Sequence, residues 1–122
     1  MSVPVPLDAL AAQLGAYGPV AFVVTTSDDG RPHTVSVTIE LDGGVLRAAV
    51  GRTTATNAAA RSSVTLLWPP AADPRYSLIV DADAVVDGTP GVDAELSMTP
   101  GRAVQHRQAD VGDDVPSCIR VE

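Results

Sequence analysis

The chain has 122 residues, 45% hydrophobic and 19% charged, enough for one globular domain and too few for two cores. Its formal net charge of −7 argues against a binder of the nucleic-acid backbone, and its basic residues are all Arg, so no lysine is present to carry a Schiff base. The single cysteine, Cys118, lacks a disulfide or metal-site partner, and no stretch approaches the ~18 apolar residues of a membrane span; a cytoplasmic protein is expected.

Near the N-terminus, Leu7, Leu10, Ala11 and Leu14 recur at helical spacing, and Gly15 with Gly18-Pro19 supplies a stop, which predicts an amphipathic helix. Residues 20–26 read as a buried strand, and Asp29-Gly30 turns the chain back. From 33 to 41 the pattern alternates, with Val35, Val37, Ile39 and Leu41 on a core face and Thr34, Ser36, Thr38 and Glu40 on the other. Asp42-Gly43-Gly44 leads to a strand at 45–50. A short crossing helix follows, then a non-alternating run at 64–68 that predicts a strand covered on both sides.

After a proline-rich loop, residues 76–87 alternate again, with Leu78, Val80, Ala82, Ala84 and Val86 opposite Asp81, Asp83 and Asp87. The acidic set has strand spacing and no glycine turn, unlike a calcium loop, and reads as a solvated face. A last strand at 95–104 is bent by Pro100-Gly101. The reading is a mainly β domain over 1–108, with six strands and two short helices, and an acidic C-terminal tail over 109–122. Short strands leave edges to cover, which predicts a partner subunit.

The segment with the clearest chemical potential is Gly51-Arg52-Thr53-Thr54, where a strand gives way to the crossing helix. A helix N-terminus carries unpaired N–H groups and a positive dipole end, and Arg52 adds a bidentate cation, so a phosphate could sit there. Equally, Thr53 or Thr54 could simply cap the helix, and Arg52 and Arg61 could be solvated or lie in an interface. His33 starts a strand after a turn proline, and His106 near the end of the last strand reads as a surface residue. Trp68 and Tyr76 bracket the proline-rich loop, as core, interface or groove wall. Two histidines without neighbouring paired carboxylates do not suggest a metal site, and there is no G-x-S-x-G nucleophile elbow.

The element order, together with Val23-Val24-Thr25-Thr26, Asp29-Gly30-Arg31-Pro32-His33, Gly51-Arg52-Thr53-Thr54-Ala55 and Val64-Thr65-Leu66-Leu67, resembles the FMN-binding split-barrel superfamily typified by pyridoxamine 5′-phosphate oxidase. The likeness spans roughly residues 7–107 and is nearest to the small actinobacterial flavin- and deazaflavin-dependent oxidoreductases. It implies a homodimer of six-stranded antiparallel split barrels with FMN or the deazaflavin coenzyme F-420 in an interface groove. By motif position it assigns phosphate contact to Arg52, Thr53 and Thr54, with Arg61 further along the helix, and backbone approach to His33, Thr34, Val35 and Ser36. Members often carry a Lys near the position of Thr56 or Asn57; here none is present, which leaves the phosphate to Arg52 and the helix terminus.

The implied activity is hydride transfer between the cofactor and a small conjugated substrate. The alternatives are a split barrel without redox cofactor that binds a small ligand or haem, and a partner-binding domain that uses the acidic strand face.

Overall fold

The computed structural model describes residues 2–70 and 75–107. In chain order these form β1 (Ser2–Val5), a 3-10 turn (Leu7–Ala9), α1 (Leu10–Tyr17), β2 (Val20–Thr26), β3 (Pro32–Thr38), β4 (Glu40–Asp42), β5 (Val45–Ala49), α2 (Arg52–Ala60), β6 (Ser63–Trp68), β7 (Ser77–Asp87) and β8 (Glu95–His106). The strands make one antiparallel sheet in the order β3-β2-β6-β7-β8-β5-β4, with β1 added alongside β8. Its two ends, β3 and β4, are joined through Ile39, whose N–H donates to the Pro19 carbonyl at 2.6 Å. The sheet therefore curls into the expected mainly β split barrel.

The described residues form eight strands where the sequence pattern predicts six. Ile39 belongs to neither ladder and divides the 33–41 run into β3 and β4. The Ser2–Val5 strand has no clear period of its own and forms by pairing with β8, Pro4 opposite Val104. The predicted tail over 109–122, Cys118 included, lies outside the described residues.

β8 binds the barrel together. Its first half pairs with β5 and its last four residues pair with β1, while β7 runs along the opposite edge. The β7 register passes from Asp81 opposite Arg102 to Ala82 opposite Pro100, which leaves Gly101 without a partner. This bulge bends the strand at a proline that has no N–H for the ladder.

Leu46, Leu66, Trp68, Leu78, Leu96, Met98, Val23 and Val80 are fully buried inside. β6 departs from its predicted two-sided cover: Val64, Leu66 and Trp68 face the core, whereas Thr65 and Leu67 remain half-buried. On the outer face of β7, the Thr65 hydroxyl donates to Asp81 at 2.9 Å, and Arg102 stands 3.7 Å from the same carboxylate. The acidic strand face is thus partly neutralised by its cross-strand neighbours. No helix among the described residues is long and apolar enough to cross a membrane.

α1 runs past Gly15 to Tyr17 and stops at Gly18, which has φ 84° and whose N–H returns to the Leu14 carbonyl at 3.0 Å. The Trp68 indole N–H donates to the Gly18 carbonyl at 3.0 Å, so the ring fills the core and also holds the α1–β2 junction. Tyr17 donates to the Tyr76 carbonyl at 2.7 Å and accepts from Gln105 Nε2 at 3.0 Å, pinning α1 to the β7–β8 end. At the β2–β3 hairpin, Asp29 accepts from the Ser27 hydroxyl and from the Arg31 N–H. These bonds, the Ser27 hydroxyl foremost, hold the Asp29 carboxyl below its ordinary value of 3.8.

Trp68→Ala should cost about 3–5 kcal/mol in urea denaturation, whereas Trp68→Phe, which chiefly deprives the Gly18 carbonyl of its donor, should cost about 1–3 kcal/mol. A Trp68→Phe loss near zero would show that the indole N–H does not hold the junction. Because the folded Asp29 value is depressed, its contribution is present above the unfolded value and lost as pH falls through the folded one. An NMR titration of the side-chain carboxyl should therefore give a midpoint below 3.8, and Ser27→Ala should raise it.

Candidate functional site

Small side chains let α2 lie close against the sheet. Thr54, Ala55, Asn57 and Ala58 are its buried residues, and it packs against β2, β7 and β8. Asn57 Nδ2 donates to the Thr25 hydroxyl at 3.2 Å, both groups being buried, which sets the helix against β2. A buried amide and hydroxyl are each costly without a partner, so this pair constrains the helix position.

Gly51 is the N-cap of α2. It has no side chain with which to cap, and its carbonyl accepts from the Ala55 N–H at 3.0 Å. The N–H groups of Arg52, Thr53 and Thr54 thus open the helix with no side-chain acceptor from the cap position. Thr53 is exposed, but Thr54 is only 2% exposed, so its hydroxyl is withdrawn and its backbone N–H is what it can offer. This geometry disfavours Thr54 as a side-chain ligand and leaves Arg52 with the backbone of the first turn.

The Arg52 guanidinium lies against Gly91 in the turn between β7 and β8. A Cβ placed on Gly91 would fall 2.5 Å from Nη2 and 2.6 Å from Nε, and the glycine also has φ +83°. Gly91 therefore answers two demands, the left-handed backbone and the space for Arg52. Arg52 and Gly51 line a cleft of about 430 Å³ with Gly91, Val92, Asp93 and Glu95. Its two carboxylates are engaged: Asp93 accepts from the Thr89 N–H at 2.8 Å, and Glu95 stands 3.4 Å from Arg47.

The remaining predicted residues gather elsewhere. Arg61 donates through Nε to the Thr26 carbonyl at 2.7 Å and pairs with Asp28 at 2.8 Å, so it anchors the β2–β3 hairpin. It follows Arg52 by nine residues, about 13 Å along the helix at 1.5 Å per residue. On β3, His33 and Val35 share the inward parity of Val37 and are half-buried, while Thr34 and Ser36 are exposed on the outer face opposite Val24 and Phe22. The structure thus separates the eight predicted residues into a helix-terminus group and a hairpin group, with the β3 side chains divided between two faces.

Two contributors were not singled out in the sequence. Gly91 reads there as a turn residue after Thr89-Pro90, and the Thr25–Asn57 contact joins residues 32 positions apart. Only the glycine left a signal, its place in a tight turn. Among the described residues, no group of three His, Cys, Asp or Glu could hold a metal ion.

No protein-family model matches the chain. It is 41% identical to the uncharacterized proteins Mb0449c of Mycobacterium bovis and MT0457 of Mycobacterium tuberculosis, over 95% of this chain and 88% of theirs. Similar folds include a relative of general stress protein 26 from Clostridium acetobutylicum, of the pyridoxinephosphate oxidase family (TM-score 0.65, 11% identity, 84% of this chain and 91% of that one). An FAD-binding protein of Mesorhizobium loti (0.67, 10%, 86% and 95%) and an F-420 reductase (0.62, 17%, 75% and 93%) are also similar. So is HutZ, the haem storage protein of Vibrio cholerae (0.63, 10%, 82% and 94%). The chain therefore belongs to the family of these mycobacterial proteins, and its fold is that of the pyridoxamine 5′-phosphate oxidase-like split-barrel superfamily.

Proposed function

We propose that the protein is a homodimeric oxidoreductase that binds FMN or the deazaflavin coenzyme F-420 and passes hydride between that cofactor and a small conjugated substrate in the cytoplasm. The observation that carries this reading is the Arg52 guanidinium bedded on Gly91 at the uncapped N-terminus of α2. A guanidinium beside the uncapped backbone N–H groups suits a phosphate, and the cleft beside it has room for more than the phosphate alone. The FAD-binding and F-420 reductase neighbours share the fold, which supports a flavin-type cofactor.

In this reading Arg52 and the N–H groups of residues 52–54 bind the phosphate, and Asn57 positions them by holding α2 on β2. The bound cofactor supplies hydride transfer. The protein's part is to orient it, to exclude water, and to offer the β3 backbone from His33 to Ser36 along one side. Arg61 keeps the β2–β3 hairpin in place through Thr26 and Asp28.

Support for the second subunit comes from the outer face of β2, where Val20 is 56% and Phe22 39% exposed. Half-buried Val24, Leu67 and Ile79 continue the apolar surface across β6 to β7. An apolar strip over three adjacent strands suits burial against a second copy. The competing reading, a split barrel that binds haem or another small ligand without redox chemistry, is favoured by the likeness to the haem storage protein and by the absence of Lys.

Fluorescence titration of ligand-free protein with FMN and with F-420 should show saturable binding of one of them at micromolar concentration or below. Arg52→Ala should weaken it at least tenfold without loss of folding. Saturable haem binding with no response to either flavin would favour the competing reading. Gly91→Ala should act on the same site from the opposite side, since its Cβ displaces the guanidinium; reduced affinity comparable to Arg52→Ala is expected, with a lower melting temperature from the strained φ. Phe22→Asp should shift the protein to a monomer in sedimentation; an unchanged dimer would remove this face as the interface.

A further inference from the structure

β8 changes partners midway, and the change opens a cleft. Its first four residues pair with β5 and its last four with β1, so from Thr99 to Arg102 that edge has no ladder partner. The reason is local. The β5 register, with Leu46 opposite Met98, would next bring Val45 opposite Thr99 and Gly44 opposite Pro100, which has no N–H to give, and Gly44 turns away with φ 86°. On the other side β1 leaves β8 after Val5, and the chain passes into the 3-10 turn Leu7–Ala9 and α1.

The space left between these segments is a cleft of about 450 Å³. Leu7, Leu10 and Ala11 form one wall, Leu41 of the β4–β5 hairpin another, and Thr99 with Pro100 of the unpaired stretch the third. Leu10 is buried, whereas Leu7 and Leu41 stay 45% and 38% exposed. Apolar walls open to water leave a burial gain that an apolar ligand would collect. Asp8 is the one charged residue among these lining residues, and among the described residues its carboxylate has no ion-pair partner. The arginines on the adjoining strands are engaged elsewhere: Arg47 lies between Asp42 and Glu95, and Arg102 pairs with Asp81 on the outer face.

We infer that this cleft binds a small hydrophobic amine, its apolar body between Leu7, Leu41 and Pro100 and its ammonium beside the Asp8 carboxylate. A cation with an apolar body is the ligand class that both features select. The carboxylate attracts the ammonium and repels an organic anion, and the Thr99 hydroxyl can accept a further N–H. The formal charge of −7 favours approach of a cation. The Arg52 cleft is a different place: Thr99 lines the one and Glu95 the other, four residue steps apart on β8, or about 13 Å. The inference therefore stands apart from the proposed redox function.

Isothermal titration of the full chain near neutral pH with naphthylethylamine, with naphthylethanol and with naphthylacetate tests it. One amine should bind per chain, at least threefold more tightly than the alcohol, with the carboxylate weaker than both. Asp8→Asn should remove the amine's advantage and leave the affinity for the alcohol unchanged. Ala11→Trp, at an exposed helix position whose new side chain would fill the cleft, should abolish binding of both. Asp28→Asn, in the β2–β3 hairpin, should change neither. The inference is overturned if the amine shows no saturable binding, if the alcohol binds as tightly, if Asp8→Asn keeps the preference, or if Asp28→Asn removes it. It is equally overturned if Ala11→Trp binds the amine undiminished, or if that variant loses self-association in sedimentation, since a second copy of the chain would then occupy the cleft.

Discussion

The ladder between β7 and β8 is the constraint on which the rest of the structure depends. Two long strands pair over nearly their whole length, and β8 alone must also serve β5 with one half and β1 with the other. A straight strand would present one edge to one partner. The unpaired Gly101, next to a proline that cannot donate, bends β8 so that its edge can be shared. That bend lets the sheet curl between β7 and the β1 and β5 edges.

A second constraint is polar and local. α2 has a narrow buried face of threonine, alanine and asparagine, which contributes little hydrophobic area. Its position is set instead by the buried Thr25–Asn57 bond and, at its far end, by Arg61 reaching the β2–β3 hairpin. Such bonds add modest net stability, but a wrong placement would strand a buried amide, so they are strict about geometry. Strictness is what the anion cradle proposed at the other end of the helix requires. At that terminus the Arg52 guanidinium lies over Gly91 of the β7–β8 turn.

Charge is arranged with similar economy. Most described arginines are matched to nearby carboxylates on exposed turns and strands, where ion pairs add little stability but cancel local fields. Arg52 instead lies over Gly91 in the β7–β8 turn.

The sequence by itself determined the local elements. Alternation placed the core face of β7 and that of the 33–41 run as far as Ile39, though Leu41, expected inside, is exposed; Asp-Gly and Gly-Gly marked the hairpins, and Pro100-Gly101 marked the bend, because these signals act over a few residues through backbone sterics and the period of two. The strand–helix junction at Gly51-Arg52 was legible for the same reason. The addition of β1, the half-open outer face of β6 and the burial of Thr54 were not, since each depends on what lies opposite in the folded barrel. Only the tertiary structure decided that Arg61 serves the hairpin and that Arg52 rests on Gly91. Residues tens of positions apart meet there through sheet register, a property of the whole hydrogen-bond network that no local pattern encodes.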